Sequence, residues 1–247
     1  MSGTVALGSD QGFYEDKAEL YREAENPVLL AQVMACLPAG GRVLDVGCGS
    51  GALLAHLAGH AGYRAGIELS SSAAAAAAQV ADEVANVGVT GDLPFSPAGF
   101  DVVVCADVLE HLADPADALS SVAGLCRPGG AVVISVPNVA YWQARLRLLR
   151  GIWRYEPTGL FDSGHLRFLT RETLVELVTG CGLAVETVVA AQVPGLAPHV
   201  LARVPRPLRT AVDRSWAAAA NRLARGRPTL FAYQLICVAR NPPAGPS

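Results

Sequence analysis

Short apolar runs alternate with helical patterns along the first 137 residues. Buried parallel strands are predicted at four of these runs, residues 42–46, 63–68, 100–106 and 131–137, and a weaker strand at 86–89. Helices are predicted at 13–24, 27–37, 50–58 and 70–81, and from Asp114-Pro115 to about Cys126. This alternation predicts a doubly wound α/β sheet with helices on both faces.

The pattern changes after Pro137. Residues 138–170 are rich in aromatic side chains and arginine, which favours an inserted lid, although plain packing explains the aromatic residues equally well. A helix is predicted at 171–180, a strand at 183–191, a proline-punctuated basic stretch at 194–228 and a last strand at 230–239. A chain that ends in a strand after a helix and a strand can add an antiparallel strand at the edge of the sheet, and we predict this for the last strand.

We therefore expect a single α/β domain over residues 1–247, with a doubly wound, seven-stranded, mostly parallel sheet. Its predicted parts are an N-terminal helical cap (1–38), a cofactor-binding core (39–137), the substrate lid (138–170) and a C-terminal completion of the core (171–247) that includes the basic stretch 194–228.

Composition narrows the class of protein. Hydrophobic residues make up 51% of the 247 positions and charged residues 17%, which excludes a disordered chain. No apolar stretch reaches the roughly 20 residues of a membrane span, and the first residues lack the basic and apolar regions of a secretory signal. Six scattered cysteines without a CxxC pair suit a reducing compartment, so we expect a cytoplasmic protein.

Charge is distributed unevenly. Residues 1–120 hold 16 acidic and 4 basic side chains, whereas residues 121–247 hold 6 acidic side chains and 15 arginines. The basic half suggests an anionic partner, through binding of a phosphate group or contact with a membrane surface, but a solvated helical face over 194–228 explains it equally well. Nucleic acid is disfavoured, because the first half is acidic and no recognition domain is evident.

A glycine-rich segment, GCGSGA at 47–52, follows a predicted strand and precedes a predicted helix. Glycines permit the tight turn, and a helix N-terminus presents N–H groups to a ligand. Taken alone, the segment also fits the dinucleotide-binding fingerprint. Glu68, at the end of the next strand, is placed to bind ribose hydroxyls. NAD enzymes and nucleoside-binding methyltransferases share these features.

Two carboxylates separate these classes. Asp45 precedes the first glycine by two residues, where it would repel a pyrophosphate and attract the ammonium group of a methionine. Asp92, in the segment GDLPF, offers an acceptor for an adenine amino group. Both favour a methyltransferase. An NAD-dependent oxidoreductase and a cofactor-binding protein without catalysis are the alternatives.

At these residues the sequence resembles the class I S-adenosylmethionine-dependent methyltransferases. The matching segments are DVGCGSG (45–51), FDVVVCADVLEHL (100–112), LCRPGGAVVISVPN (125–138) and GHLRFLT (164–170). They are most similar to the subgroup that contains ubiquinone-biosynthesis methyltransferases and enzymes that tailor glycans and natural products. The resemblance covers roughly residues 13–191 and the last strand.

The resemblance implies S-adenosylmethionine as cofactor, S-adenosylhomocysteine as product, and a role for each matching residue. It assigns the methionine end of the cofactor to the glycine loop, and the ribose and adenine to the ends of the next two strands. Residues at the end of the fourth strand are expected to face the methionine moiety. The residues assigned in this way are Asp45, Gly47, Cys48, Gly49, Glu68, Leu69, Asp92, Leu93, Ala106 and Asp107. Tyr14, in an N-terminal helix, is expected to close the pocket, with Phe13 and Tyr21 as alternatives.

Methyl transfer needs an aligned and deprotonated nucleophile. His111, after the fourth strand, and His165, at the end of the insert, are the candidate general bases. Orienting a loop or packing the lid is the alternative for each. Asp107, Glu110 and His111 have metal-ligand chemistry, but no further ligand is evident, so no metal site is predicted.

The expected function is methyl transfer from S-adenosylmethionine to an oxygen or nitrogen atom of a small molecule. Sugars, nucleotide-linked compounds and other natural-product intermediates are the candidate acceptors. A homodimer is left open.

Overall fold

Seven strands form one sheet in the order β3-β2-β1-β4-β5-β7-β6. The computed structural model of the chain describes Gly12, Glu15 and residues 26–191 and 203–243, without the side chain of Asp213. The strands are β1 (Arg42–Val46), β2 (Tyr63–Ile67), β3 (Glu83–Ala85), β4 (Phe100–Ala106), β5 (Cys126–Pro137), β6 (Ala184–Ala191) and β7 (Gln234–Arg240). β1 to β5 pair in parallel and β7 runs antiparallel to both of its neighbours, so the mostly parallel sheet is confirmed.

Helices connect and cover the strands. They are α1 (Pro27–Cys36), α2 (Ala52–His56), α3 (Ser71–Ala77), α4 (Pro115–Ala123), α5 (Trp142–Leu149), α6 (Arg171–Gly180), α7 (Arg209–Gly226) and α8 (Pro228–Phe231), with 3-10 turns at Leu109–His111 and Arg206–Leu208. None of the helices in the described ranges combines the length and apolar character needed to cross a membrane.

The core lies on both faces of the sheet. Leu44 and Val46 of β1 belong to one buried apolar cluster, and Val43 belongs to a second. Successive residues of a strand point to opposite faces, so the two clusters cover the two sides of the same strands. This is why the central strands are almost uninterrupted apolar sequence.

The last strand differs from the prediction of an added edge strand. β7 lies between β5 and β6, and the edge position belongs to β6. Six of the seven residues of β7 are buried, whereas β6 exposes Ala184, Glu186 and Thr187. The charged and exposed positions of β6 suit an edge, and the continuous apolar run of β7 suits an interior strand.

Other predicted boundaries also differ. The strand predicted at 86–89 is wrong, because β3 ends at Ala85 and the Asn86 side chain donates to the carbonyls of Glu68 and Leu69. The start predicted for the last strand is wrong as well, because Pro228 begins α8, where proline suits the first turn of a helix. The helices predicted at 50–58, at 70–81 and from Asp114-Pro115 to about Cys126 are shorter in the structure, where they form α2, α3 and α4. Almost all of the helix predicted at 13–24 lies outside the described residues.

Asp101 joins the starts of three strands. Its carboxylate accepts from the Arg42 amide at 2.8 Å and from the Arg127 Nε at 2.6 Å. Burial raises the pKa of Asp101, but these hydrogen bonds outweigh burial, so its pKa lies below the ordinary value.

We expect Asp101→Asn to lower the free energy of unfolding by about 1 kcal/mol at pH 7, because a charge-assisted hydrogen bond is lost. A carboxylate with a lowered native pKa stabilises the fold above its unfolded pKa of about 3.9, and the contribution disappears as pH falls through the native pKa. Urea unfolding from pH 7 downward measures the difference. Glu176→Gln, which removes an exposed carboxylate of α6, is the matched control. A difference that grows on acidification would contradict the assignment.

Candidate active site

The glycine loop connects β1 to α2 at the carboxyl end of the sheet. The amides of Gly47 and Cys48 donate to the Ile67 carbonyl at the end of β2, at 2.8 and 3.0 Å. Gly47 has a φ of 70°, and a Cβ there would lie 2.6 Å from the Val108 Cγ2 atom. Only glycine suits this position, because a side chain meets both an unfavourable backbone angle and a packed neighbour.

Glu68 joins this loop to the start of α3. The Gly49 amide donates to Oε2 at 2.9 Å, and the Ser70 amide donates to Oε1 at 2.7 Å. A carboxylate has about four acceptor positions, so two hydrogen bonds leave capacity for the hydroxyls of a ribose. Glu68 therefore lies where the resemblance places the ribose-binding acid, next to the glycine loop.

Asp45 is a buried acid at the penultimate position of β1. It is paired in register with Gly66 of β2 and Val104 of β4, and only 4% of its surface is exposed. Asp45 therefore places a buried carboxyl group two residues before the first glycine of the loop. The negative charge of a carboxylate at this position favours an ammonium group and disfavours a pyrophosphate.

The remaining predicted contacts are distributed along the same edge of the sheet. Ala106 ends β4 and is half-buried, and Leu69 follows Glu68 with its carbonyl held by Asn86. Asp92 is exposed in the loop between β3 and β4, and Leu93 packs against the core beside it. These residues belong to loops or strand ends at the carboxyl edge, which is where ligands bind in open α/β sheets.

Asp107 is the first residue after β4 and has a φ of 53°, a rare conformation that is found at functional sites. Gln234 Nε2 donates to its carboxylate at 2.6 Å, and the Ser135 hydroxyl donates at 3.1 Å. The Asn26 side chain donates in turn to Gln234 Oε1 at 2.7 Å. This network fixes the carboxylate beside the end of β4.

Desolvation raises the pKa of Asp107, although the hydrogen bonds from Gln234 and Ser135 and the nearby His165 act in the opposite direction. Sequence reasoning missed Gln234, Ser135 and Asn26. The polar start of β7 was the available signal for Gln234, since every following residue of that strand up to Ala239 is apolar.

A second cluster of polar side chains comes from the turn after Asp107 and from the end of the insert. Glu110, His111 and His165 are buried, and their ligand atoms all lie within 4.8 Å of one another. The two imidazole rings are T-shaped, with centroids 4.8 Å apart. His111 Nδ1 lies 3.1 Å from the Gly164 carbonyl oxygen, and His165 Nδ1 lies 3.2 Å from that of Leu160. The structure therefore brings together the two predicted histidines, which are 54 positions apart in sequence.

Burial raises the pKa of the Glu110 carboxyl well above its usual range, and the neighbouring carboxylates Asp107 and Asp162 add to this. Both of its side-chain oxygens are buried without a hydrogen-bond partner. Its backbone carbonyl accepts from the amides of Leu166 and Arg167, at 2.7 and 3.0 Å. These hydrogen bonds attach the end of the insert to the turn after β4.

The insert at 138–170 has its own small core. Tyr141, Ala144, Leu160 and Phe161 are buried together, and Trp142 and Tyr233 pack against them. An apolar pocket of about 220 Å³ lies between the insert and the C-terminal helices; its lining residues are Tyr141, Trp142, Trp216, Ala220, Leu223 and Phe231.

The N-terminal segment contacts the site through Glu15. Its carboxylate accepts from the Ser70 hydroxyl at 3.0 Å and from the Ser72 hydroxyl at 2.5 Å, and from backbone amides at the start of α3. The pKa of Glu15 lies below its ordinary value because the Ser72 hydroxyl donates to the charged form. Sequence reasoning missed Glu15. Tyr14, Phe13 and Tyr21 lie outside the described residues.

Comparison with known proteins identifies the family. A family model described as a methyltransferase domain matches residues 19–188. The ubiquinone biosynthesis O-methyltransferases of Aeromonas salmonicida and Thiobacillus denitrificans are 34% and 33% identical to this chain. The matches cover 59% and 65% of this chain and 64% and 72% of those enzymes, so the chain spans less than two thirds of the Aeromonas relative.

A solved S-adenosylmethionine-dependent methyltransferase from Thermotoga maritima has a similar fold. Its TM-score is 0.61 at 16% identity, over 94% of this chain and 100% of that one. The sheet topology, the glycine loop with its two acids and the family model agree with one another. The chain belongs to the class I S-adenosylmethionine-dependent methyltransferases.

Proposed function

We propose that this protein transfers the methyl group of S-adenosylmethionine to a hydroxyl oxygen of a small molecule. The observation that carries the proposal is the pair of buried acids, Asp45 and Glu68, on either side of the glycine loop. The names of the relatives, which are O-methyltransferases, support oxygen as the acceptor atom. An NAD-dependent oxidoreductase is not favoured, because Asp45 opposes a pyrophosphate.

In the proposed site, Asp45 and the loop residues Gly47, Cys48 and Gly49 hold the methionine end of the cofactor. Glu68 and Leu69 bind the ribose, and Asp92 and Leu93 lie beside the adenine. Ala106 and Asp107 form the side of the site that faces the methionine moiety. Glu15 brings the N-terminal segment against α3, next to Glu68, and this supports the proposal that the neighbouring Tyr14 covers the cofactor.

The reaction is a displacement at the sulfonium methyl carbon. A lone pair of the acceptor oxygen forms the new O–C bond, the C–S bond breaks, and its electron pair stays on sulfur as neutral S-adenosylhomocysteine. The proton of the acceptor hydroxyl must leave, and His111 and His165 are the proposed groups that promote its loss. The neutral leaving group makes alignment and deprotonation the main demands on the protein.

Glu68→Gln should weaken S-adenosylhomocysteine binding by roughly 10- to 100-fold, because each hydrogen bond to a charged acceptor contributes about 1.5–3 kcal/mol. Calorimetric titration measures this, with NAD as the competing candidate ligand. Glu83→Gln is the matched control, since Glu83 is also a strand glutamate and accepts from the Tyr63 hydroxyl outside the site. Unchanged affinity in folded Glu68→Gln, or preferential binding of NAD, would overturn the cofactor site.

His111→Ala should lower turnover by about 10²- to 10⁴-fold, the usual effect of losing a group that promotes proton loss from the acceptor, and leave S-adenosylhomocysteine affinity unchanged. Transfer of a labelled methyl group to a panel of phenols, sugars and sugar nucleotides measures turnover. His60→Ala is the control, since the His60 ring contacts the Leu37 carbonyl away from the site. Wild-type turnover in His111→Ala would assign this residue a purely structural role.

We also propose that the insert forms a lid and that it and α7 contact an anionic membrane surface from the cytoplasm. Six exposed arginines form no ion pair with any acid in the part of the chain that the structure describes: Arg203, Arg206, Arg214, Arg222, Arg225 and Arg227. Leu149 of α5 is 84% exposed, and Leu148, Ile152 and Trp153 are exposed beside it in sequence. Apolar side chains next to arginines are typical of helices that lie on a bilayer.

Vesicles that contain phosphatidylglycerol should therefore co-sediment with the protein, and added salt should reduce the bound fraction. Leu149→Glu should weaken this binding roughly 10-fold, because it removes an apolar side chain that would enter the membrane and adds a negative charge that the anionic lipids repel. Val87→Glu, at an exposed valine after β3, is the control. Equal binding of Leu149→Glu and wild type would contradict the membrane contact. Salt-sensitive binding of phosphorylated acceptors without vesicle binding would instead favour an anionic acceptor.

A further inference from the structure

The buried group formed by Glu110, His111 and His165 has the donor set of a divalent metal site. One carboxylate and two imidazoles offer ligand atoms that all lie within 4.8 Å of one another. A divalent transition metal binds such ligands at about 2.0–2.2 Å, so its ligands lie roughly 3.0–3.5 Å apart. Small side-chain rotations are enough to close the three atoms around an ion.

Glu110 is the observation that points to a ligand. It is 2% exposed, and neither carboxylate oxygen has a hydrogen-bond partner. No ion pair among the described residues involves it. A buried carboxyl group whose oxygens lack hydrogen-bond partners is unfavourable whether it is neutral or charged, and a bound cation is one of the few partners that would satisfy both oxygens.

The two histidines are oriented as metal ligands usually are. The Nδ1 atom of each ring lies beside a backbone carbonyl, Gly164 for His111 and Leu160 for His165. A carbonyl oxygen only accepts, so each Nδ1 carries the proton and the ring lone pair is on Nε2. Histidines that ligate metals characteristically donate their other nitrogen to a carbonyl in this way, which fixes the tautomer and the ring direction.

We infer that Glu110, His111 and His165 bind one divalent transition-metal ion beside the cofactor site. Two imidazoles and one carboxylate leave coordination positions open for another ligand, as in catalytic sites. Asp107, which is three residues before Glu110 and interacts electrostatically with both Glu110 and His165, is a further acidic group beside the three ligands. The absence of a further ligand was the reason for predicting no metal from sequence, and His165 provides that ligand from the insert.

The ion would act on the acceptor, and this role rests on the proposed function. A hydroxyl that coordinates an open position becomes more acidic, and loses its proton to solvent at neutral pH. The resulting oxyanion then attacks the methyl carbon, and the C–S electron pair remains on sulfur. In this arrangement the histidines hold the ion and do not carry the proton themselves. Nitrogen ligands favour Co²⁺ or Zn²⁺, and more weakly Mn²⁺, over Mg²⁺, which prefers an all-oxygen site.

Binding of the ion is testable without any acceptor. Metal-stripped protein, saturated with S-adenosylhomocysteine, is titrated with Mn²⁺ and followed by the loss of the free-ion EPR signal. Titration with Co²⁺ is followed by visible absorption. We expect one ion per chain, weaker binding of Mg²⁺, and a thermal midpoint that rises with the ion concentration.

Glu110→Gln and His165→Ala should each weaken Mn²⁺ binding at least about 10-fold while S-adenosylhomocysteine still binds, which shows that the cofactor site is folded. His56→Ala, which removes a histidine of α2 outside the cluster, should bind Mn²⁺ like wild type. The inference is overturned if wild type binds no stoichiometric ion, or if both cluster variants bind Mn²⁺ as tightly as wild type. Failure to bind S-adenosylhomocysteine would overturn the proposed function instead, because the metal titration does not depend on turnover.

Discussion

Parallel strands that are covered on both faces have room for polar side chains only near their ends, and this constraint determines where the site lies. β1, β2 and β4 are buried on both sides, so their polar residues lie near the strand ends, with Arg42, Arg64 and Asp101 at the amino ends and acidic residues at the carboxyl ends. Asp45, Glu68 and Asp107 all lie at the carboxyl ends of these strands. The chain direction that parallel pairing imposes therefore places three acids from distant sequence positions along the same edge of the sheet.

The same edge also determines how the insert is attached. Asn138, the first residue after β5, is fully buried, and its side chain donates to the Thr229 and Ala232 carbonyls next to β7, at 3.0 and 2.8 Å. The far end of the insert is held by the two amides that donate to the Glu110 carbonyl. With both ends fixed at strand termini, the insert delivers His165 to the turn after β4. The insert can thus supply a catalytic or metal-binding group without disturbing the sheet.

Sequence patterns predicted the central strands, because a short run rich in β-branched residues, such as FDVVVCA at 100–106, favours a strand buried on both faces. They also predicted Asp45 and Glu68 as acids beside the glycine loop, and both lie there; their role toward a cofactor stays a prediction. Patterns failed where one feature supports two arrangements. An apolar last strand is compatible with any interior position, and only the exposed, charged side of β6 shows which of the two strands is the edge.

The side-chain networks could not be read from the sequence, because they depend on contacts between distant segments. Gln234 meets Asp107 across 127 positions, and His165 meets His111 across 54. The local sequence of His165, between a glycine and a leucine, contains no information about a partner.

The geometry of His111 and His165 indicates whether they act as general bases or as metal ligands. A general base needs a ring nitrogen that exchanges its proton with the acceptor and then with solvent. His111 and His165 are each only 7% exposed, and both turn Nδ1 toward a backbone carbonyl. A proton taken up by either ring would therefore place a charged imidazolium in a buried site, which is unfavourable. Two such rings beside a buried carboxylate are better suited to a fixed cation, which lowers the pKa of a coordinated hydroxyl without carrying a proton itself. Burial of this group, which limits its use as a base, thus favours its use as a metal site.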